Sequence, residues 1–358
     1  MAPVHASRRS ALRERLLDAV GPRALLVTDH ANIRYLSGFT GSNAILVVGP
    51  DARDDVIATD GRYVDQVAHE CDDLPAIIDR ATLAGVLAAL PPGPLCVERG
   101  LTVADQEVVA AQRGIPTVAP SIVEELRSIK DVEELDDLAC ACRVTSVAFE
   151  ALAGEVRIGM TERQLARRLE QLFGELGAED RAFPSIIATG RNSAIPHHRA
   201  DDTVLEEGDL LVVDAGARIN GYHADMTRTW ILGRDPEAWQ ADIHPHVLSA
   251  QATAIACVEP GRSALEIDAA ARTVLRDAGL EERFTHGLGH GVGLEIHEAP
   301  SVGPRATGSI HVNMAFTVEP GIYLPGRGGV RIEDTLVVVD AGSRVLTEGV
   351  RDLRVVGV

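Results

Sequence analysis

The pattern of apolar and polar residues predicts two domains of different construction. Near the start of the chain, an amphipathic segment at residues 7–20 predicts a helix. Short apolar runs predict strands at residues 24–29, 43–49, 56–60, 76–79 and 95–99. A further helix is expected at residues 81–90, whereas residues 29–42 are dense in turn-forming types and favour a loop. Short strands alternating with helices are typical of an α/β domain, expected here over residues 1–125.

The rest of the chain predicts longer helices mixed with paired strands. Helices are expected at residues 128–156, 161–177 and 263–280. Lys130 and Asp131 are placed at the start of the first of these, and Thr161 is the expected N-cap of the second. Strands are expected at residues 209–219, 224–232, 314–324 and 329–340. This mixture predicts an α+β domain over residues 126–358.

Two aspartates interrupt the apolar strands on either side of Asn220-Gly221. A lone buried carboxylate is costly unless a partner neutralises it. The Asn-Gly dipeptide predicts a two-residue hairpin turn, which places Asp225 opposite Gly216. A register shifted by two residues would place Asp225 opposite Asp214 instead. In both registers the two carboxylates project from one face, because side chains alternate along a strand.

A second predicted hairpin repeats this arrangement with glutamates. Glu319 and Glu333 each interrupt an apolar strand. A loop at residues 325–329, centred on Arg327, would place Glu333 opposite Gly321, on the face that carries Glu319. The two hairpins therefore each offer a pair of carboxylates on one face.

Two hypotheses explain these four carboxylates. One is that they form salt bridges with Arg228 and Arg331. The other is a metal site, which is favoured because residues 285–298, THGLGHGVGLEIHE, hold three of the 12 histidines in the chain. Carboxylates and imidazole together suit Mn²⁺, Co²⁺, Fe²⁺ or Zn²⁺. The ligands outnumber the needs of one ion, which predicts two metal ions bridged by carboxylates and a water.

Four motifs in this order resemble those of the pita-bread metallopeptidases. They are DAGARINGYHADMTRT, HGLGHGVGLEIHE, FTVEPGIY and GVRIEDT. That family includes aminopeptidase P, prolidase and methionine aminopeptidase, with creatinase as a metal-free relative. The first 120 residues, with NIRYLSGFTGSNA, resemble the N-terminal domain of the prolidase, aminopeptidase P and creatinase branch. The resemblance implies a creatinase-like α/β N-terminal domain followed by an α+β pita-bread catalytic domain.

The resemblance also implies roles for individual residues. The five ligands of a dinuclear site would be Asp214, Asp225, His290, Glu319 and Glu333. Of these, Asp225 and Glu333 would bridge the two ions, and Glu319 would also shuttle a proton. The expected ion is Mn²⁺. Substrate-side catalytic roles fall to His197, His286, His297 and Arg331. His197 lies in GRNSAIPHHRA, which resembles a further motif of the family, and its neighbour His198 is assigned an accessory role.

Composition narrows the classes of partner. The net charge of −19 disfavours nucleic-acid binding, because an acidic surface repels phosphates. The five cysteines are odd in number and form no Cys-x-x-Cys, which predicts free thiols and a reducing compartment. Arginines near the start, with no long apolar run there, argue against a secretory signal. The apolar stretch at residues 81–97 is interrupted by three prolines and is too short to span a membrane. A cytoplasmic protein is expected, and the resemblance implies a homodimer.

The expected activity is removal of an N-terminal residue that precedes proline. Within that activity, aminopeptidase P acts on longer peptides and prolidase acts on Xaa-Pro dipeptides, and no motif separates the two. The N-terminal domain argues against methionine aminopeptidase. A non-catalytic binding module and a creatinase-like hydrolase are the remaining alternatives, and the complete set of five ligands disfavours both.

Overall fold

The computed structural model describes residues 4–358, and the chain divides into two compact units. The first unit is Met1–Arg127 and the second is Ser128–Val358. Among the described residues, no helix combines the length and the apolar character that crossing a membrane requires.

A mixed six-stranded sheet forms the centre of the first unit. Its elements in chain order are α1 (Val4–Val20), β1 (Ala24–Val27), α2 (His30–Ser37), β2 (Ala44–Val48), a 3₁₀ turn (Ala52–Asp54), β3 (Val56–Thr59), α3 (Val64–Glu70), β4 (Ala76–Ile78), α4 (Thr82–Ala89), β5 (Leu95–Val97), α5 (Val103–Arg113) and β6 (Thr117–Val118). The strand order is β4-β3-β2-β1-β5-β6, with β1 antiparallel to β2 and parallel to β5. Helices alternating with these short strands confirm the predicted α/β construction.

The loop expected between β1 and β2 is in fact a helix. Asp29 caps the start of α2 by accepting a hydrogen bond from the Asn32 N–H, and Gly38 ends it in the left-handed conformation. Ile33 and Leu36 on this helix are buried. The polar residues and glycine that suggested a loop therefore cap and flank a short helix whose apolar side is covered.

The second unit contains four sheets and four long helices. After α6 (Ile122–Ser128), its elements are α7 (Val132–Glu155), α8 (Glu162–Glu175), β7 (Asp180–Arg181), β8 (Ile186–Thr189), a 3₁₀ turn (Gly190–Ala194), β9 (Leu210–Ala215), β10 (Ala217–Ile219), β11 (Tyr222–His223), β12 (Met226–Leu232), α9 (Ala238–Ala256), α10 (Ala264–Asp277), a 3₁₀ turn (Glu281–Arg283), β13 (Gly289–Gly291), β14 (Glu298–Val302), β15 (Ala315–Val318), β16 (Gly321–Leu324), β17 (Gly328–Arg331), β18 (Asp334–Val339), β19 (Gly342–Val345) and β20 (Arg354–Val356). The sheets have the orders β11-β10-β7, β20-β12-β9-β8, β14-β13-β15-β18-β19 and β16-β17.

Each pair of long helices covers one group of strands. Residues of α7 and α8 share a buried core with β8, β9 and β12, whereas residues of α9 and α10 share one with β15 and β18. Capping boxes begin α7, α8 and α10, at Asp131, Thr161 and Ser263. The predicted N-cap at Thr161 is confirmed. Burying the apolar faces of helices and sheets together leaves the strand ends free to carry polar groups.

The two hairpins differ in how well their registers were predicted. Asp214 lies opposite Thr227 in β9 and β12, which is the register that the Asn220-Gly221 turn predicts without a shift. In the second hairpin, Gly321 lies opposite Arg331, so the predicted pairing with Glu333 was wrong.

The turn chemistry explains the correction. The Arg327 N–H donates to the Leu324 carbonyl at 2.9 Å, and Gly326 has φ +77°. Proline followed by glycine in the left-handed region is the signature of a type II turn, so the loop is centred on Gly326 rather than Arg327. The same register continues into β15 and β18, where Val318 lies opposite Asp334. Glu319 and Glu333 are the residues that immediately follow and precede this pair.

Candidate metal centre

All nine residues singled out from the sequence line one cavity of about 480 Å³ in the second unit. They are Asp214, Asp225, His290, Glu319, Glu333, His197, His286, His297 and Arg331. Asp214 lies one residue before the end of β9, and Asp225 directly precedes β12. Glu319 directly follows β15, and Glu333 lies between β17 and β18. The carboxylates therefore lie at the ends of strands or between two strands, where a polar side chain can point away from the apolar core.

An isolated β-bridge joins the first hairpin to the segment that carries Glu333. Thr227 and Glu333 form an isolated antiparallel bridge, in which the Glu333 N–H donates to the Thr227 carbonyl at 3.1 Å. The Thr227 hydroxyl donates to Glu333 Oε2 at 2.6 Å. Asp225, His290 and Glu333 each offer a ligand atom within 4.8 Å of the others. The bridge thus gathers carboxylates from both hairpins around one imidazole.

His290 contacts two of the predicted ligands. Its Nε2 lies 3.5 Å from Asp225 Oδ2 and 3.4 Å from Glu319 Oε1. The Thr317 hydroxyl donates to Glu319 Oε1 at 3.2 Å and accepts a hydrogen bond from the His290 N–H at 3.1 Å. Thr317 therefore links the strand that carries His290 with the carboxylate that follows β15.

Glycine at position 289 permits this close approach. A Cβ added to Gly289 would lie 1.9 Å from the Thr317 carbonyl oxygen, far inside any real contact. A Cβ added to Gly216 would meet the Ala224 carbonyl oxygen at 1.7 Å, beside the first hairpin's carboxylates. The strands that carry the site can pack this closely only because these two positions lack side chains.

The charges in the cavity do not balance. Burial, reinforced by neighbouring carboxylates, raises the pKa of Asp225 and of Glu333 well above the ordinary values. Burial also raises the pKa of Glu319 to about 8. Among the described residues that line the cavity, Arg331 is the one buried arginine, and its guanidinium donates to Asp214 Oδ2. One arginine thus faces four carboxylates.

The salt-bridge hypothesis explains little of this arrangement. Arg228 donates to Asp334 at 2.8 Å and to the Glu333 carbonyl at 2.7 Å, so its charge is directed at a carboxylate outside the site. Only Asp214 receives an arginine, as described above. In the part of the chain that the structure describes, Asp225, Glu319 and Glu333 remain without an arginine or lysine side chain as partner.

Divalent metal ions fit the groups that are present. Within the described part of the chain, the Oδ1 atoms of Asp214 and Asp225 are buried and accept no hydrogen bond. Buried acceptors without partners are rare in proteins and carry a free-energy cost of about 1–3 kcal/mol or more each. Oxygen atoms aimed into a cavity beside an imidazole are the donor set that divalent transition metals take. The described residues therefore fit the metal site that the motifs imply.

The histidines form a second wall of the cavity. His286 Nε2 lies 2.9 Å from the Tyr323 hydroxyl, and its Nδ1 lies 2.8 Å from the Gly287 carbonyl. Burial lowers the pKa of both His286 and His290 to about 4, so both rings are neutral at pH 7. His297 packs edge-on against His290, with ring centroids 4.3 Å apart. A neutral ring can donate from one nitrogen and accept at the other.

Sequence reasoning missed three hydroxyl residues that organise the site. Thr227 and Thr317 contact the predicted ligands, and the Tyr323 hydroxyl accepts from Arg331 Nη1 at 2.8 Å. Tyr323 lies in the FTVEPGIY motif, so its position gave a usable signal. Thr317 lies in the same motif and Thr227 in DAGARINGYHADMTRT, so their positions gave the same signal, but the contacts with Glu333 and His290 depend on the fold.

Comparison with known proteins places this cavity in a family. The model of metallopeptidase family M24 matches residues 136–340, and that of the creatinase/prolidase N-terminal domain matches residues 8–129. The uncharacterized peptidase YqhT of Bacillus subtilis is 34% identical over 346 residues, covering 94% of this chain and 97% of that protein.

Two solved structures share the whole fold. An Xaa-Pro dipeptidase from Bacillus anthracis has a TM-score of 0.94 at 32% identity, and the match covers 98% of this chain and 100% of that one. An X-Pro aminopeptidase from Thermotoga maritima has a TM-score of 0.88 at 32% identity, with 96% and 100% covered. The family model and the whole-length similarity together show that this chain belongs to metallopeptidase family M24 and carries the creatinase/prolidase N-terminal domain.

Proposed function

We propose that this protein is a metal-dependent Xaa-Pro peptidase, which hydrolyses the bond between an N-terminal residue and proline. The observation that carries the proposal is the convergence of four carboxylates and five histidines on one cavity. The similar proteins named as acting on Xaa-Pro substrates support the same substrate class.

Five residues of this chain would hold two divalent ions. They are Asp214, Asp225, His290, Glu319 and Glu333, with Asp225 and Glu333 proposed as the bridging carboxylates. When bound, such ions lower the pKa of a coordinated water and polarise the substrate carbonyl. Arg331 would keep Asp214 oriented, because its guanidinium already donates to that carboxylate.

The remaining residues would bind the substrate and move the proton. His286 and His297 line the cavity on the substrate side, and His297 can donate a hydrogen bond to the oxygen of the scissile carbonyl as charge develops on it. His286 already donates from Nδ1 to the Gly287 carbonyl, so it would act through the Tyr323 hydroxyl at its Nε2. His197 would contact the substrate from the segment before β9. Glu319 would carry a proton to the leaving nitrogen. The proline nitrogen has no N–H in the peptide, so recognition has to come from the carbonyl and the ring.

The length of the peptide substrate is tested directly by product analysis. The Mn²⁺-loaded protein is incubated with an Xaa-Pro dipeptide and an Xaa-Pro-Yaa-Zaa tetrapeptide, and products are identified by mass spectrometry. We expect release of Xaa from at least one of the two. Release from the tetrapeptide indicates aminopeptidase P activity, and cleavage of the dipeptide alone indicates a prolidase. If a metal-loaded sample cleaves neither peptide, the proposed function is wrong.

We also propose Mn²⁺ as the working ion, a homodimer as the assembly and the cytoplasm as the location. The five cysteines, all free in the structure, support a reducing compartment. Metal analysis of the protein purified without added metal tests the first of these, and native mass spectrometry tests the second.

A further inference from the structure

A buried glutamate outside the metal centre holds the segment that carries His197. Glu162 is the first residue of α8, and its side chain is fully buried. Residues 189–201 follow β8 and contribute Pro196, His197, His198 and Arg199 to the cavity wall. The motif analysis assigned His197 to the substrate, but it assigned nothing to Glu162.

Every side-chain hydrogen bond of Glu162 goes to that segment. Its Oε1 accepts from the Thr189 N–H at 2.8 Å and from Asn192 Nδ2 at 3.0 Å. Its Oε2 lies 2.6 Å from His198 Nε2 and accepts from the Asp201 N–H at 3.2 Å. Two carboxylate oxygens thus bind the beginning, the middle and the end of one loop.

Only a carboxylate satisfies this arrangement. An amide at position 162 would keep one acceptor oxygen and present N–H groups to donors on the loop. The position at the N-terminus of α8 also favours the negative charge, through the helix dipole. The backbone strengthens the connection, since the Glu162 and Arg163 N–H groups donate to the Thr203 and Asp201 carbonyls at 3.0 Å.

This cluster is complete without a metal ion. Ligand atoms of Glu162, His198 and Asp201 lie within 4.8 Å of one another, as those of a metal site would. Both oxygens of Glu162 and the Nε2 of His198 are already engaged in the hydrogen bonds given above. The accessory role expected for His198 is therefore best explained as that of an anchor.

We propose that Glu162 is a positioning residue, which holds residues 189–201 so that His197 faces the substrate in the cavity. The proposal rests on the proposed peptidase function, because His197 is assigned to the substrate there. Displacing a substrate-contacting group by about 1 Å can cost about 100-fold in rate, so loss of the anchor should be visible in turnover.

A double-mutant cycle tests the proposal on the metal-loaded full chain. Glu162→Gln, His197→Ala and the double variant are compared for kcat and KM on an Xaa-Pro substrate. We expect Glu162→Gln to lower kcat/KM by about 10- to 100-fold. If it acts through His197, the double variant loses little more than His197→Ala alone. Glu175→Gln changes an exposed carboxylate at the other end of α8 and should leave kcat/KM unchanged.

Losses that multiply in the double variant would overturn the proposal, because the two residues would then act independently. Hydrogen exchange gives a readout that does not require activity. Backbone amides of residues 189–201 should exchange faster in Glu162→Gln, while those of α8 keep their protection. Unchanged exchange in this segment would also overturn it. If Glu162→Gln does not fold, His198→Gln takes its place in the cycle.

The same experiment separates this proposal from the proposed function. A wild-type protein that cleaves no Xaa-Pro peptide contradicts the function, whereas the exchange result still decides whether Glu162 anchors the loop.

Discussion

At the scale of single residues, threonine hydroxyl groups hold several of the candidate metal ligands in place. Thr227 donates to Glu333 and also accepts from Arg331 Nε at 3.2 Å. Thr317 contacts both His290 and Glu319. Groups that hold ligands in place in this way commonly affect metal affinity or activity by 10- to 100-fold. The Glu333 carboxylate is therefore oriented by a hydroxyl group on another strand, and the Glu319 carboxylate by one on the strand that it follows.

Asp225→Asn tests the assignment of a bridging carboxylate. The amide keeps the shape of the side chain but removes one negative charge, so we expect kcat/KM to fall by about 100-fold or more. Turnover of an Xaa-Pro peptide by the Mn²⁺-loaded variant measures the effect. Asp340→Asn, in the exposed turn after β18, is the matched control and should be fully active. Near wild-type turnover of Asp225→Asn would show that Asp225 does not bridge the ions.

Tyr323→Phe tests the hydroxyl that joins His286 to Arg331. Its loss removes the hydrogen-bond partner of His286 Nε2 and of Arg331 Nη1, and we expect kcat to fall by roughly 10-fold while metal content stays unchanged. Tyr222→Phe removes a comparable buried hydrogen bond, to Glu134 at 3.1 Å, away from the cavity. That control should lower the free energy of unfolding by about 1 kcal/mol and leave kcat unchanged. Equal kcat values for the two variants would contradict the role of Tyr323.

At the scale of elements, turn and cap chemistry decided which predictions held. The Asn-Gly turn determined the register of the first hairpin, and capping residues marked the starts of α7, α8 and α10. The register of the second hairpin was mispredicted because Pro325-Gly326 forms a tighter turn than the assumed loop. Helix α2 was missed because its eight residues are too few to show a clear period beside so many polar residues.

Gly289→Ala tests the packing of β13 against β15. The added methyl group would collide with the Thr317 carbonyl, so the two strands must separate. We expect a loss of about 1–3 kcal/mol in the free energy of unfolding, together with reduced metal content, because His290 is the next residue. Denaturant unfolding and metal analysis measure the two effects.

The matched control is Gly154→Ala in α7, where an added Cβ meets open space. Alanine is the better helix former, so this change should stabilise the protein by up to about 1 kcal/mol. A Gly289→Ala protein with wild-type stability and metal content would show that the strands can adjust without consequence for the site.

At the scale of the whole molecule, an acidic chain gathers four carboxylates in one cavity. The net charge is −19, and three buried carboxylates and a half-buried one face one buried arginine. Bringing like charges together in a site of low polarity opposes folding unless cations bind there. The stability of this protein should therefore depend on metal more strongly than that of a protein with a neutral core.

Removing the metal is the corresponding experiment. A chelator should abolish hydrolysis, and Mn²⁺ or Co²⁺ should restore it. Free ion at about 100 times its Kd stabilises the folded state by about 2.7 kcal/mol, which corresponds to a rise in Tm of roughly 5–10 °C. Asp225→Asn should show a smaller rise, which serves as the control in the melting experiment. Unchanged activity after verified removal of metal would contradict the proposed mechanism.

The sequence by itself determined the family and many of the elements, although it missed helices α2 and α9. Strand and helix periodicity, caps and turns lie within a few neighbouring residues, so they can be read without knowing the fold. The four carboxylates were singled out because they interrupt apolar strands, whereas the roles of the motif residues, from His197 to Glu333, came from the resemblance to the family. The expectation that they share one cavity rested on the alternation of side chains along the strands and on the resemblance to the family.

Only the tertiary structure decided the contacts between distant parts of the chain. Thr227 meets Glu333, Arg331 meets Asp214, and Glu162 meets His198 across 106, 117 and 36 positions of sequence. Such pairs depend on the packing of sheets and helices that the local pattern does not specify. In the sequence, a threonine or glutamate that will be buried cannot be distinguished from other polar residues. The free-energy cost of burying it is offset by a hydrogen-bond partner that only the tertiary structure identifies.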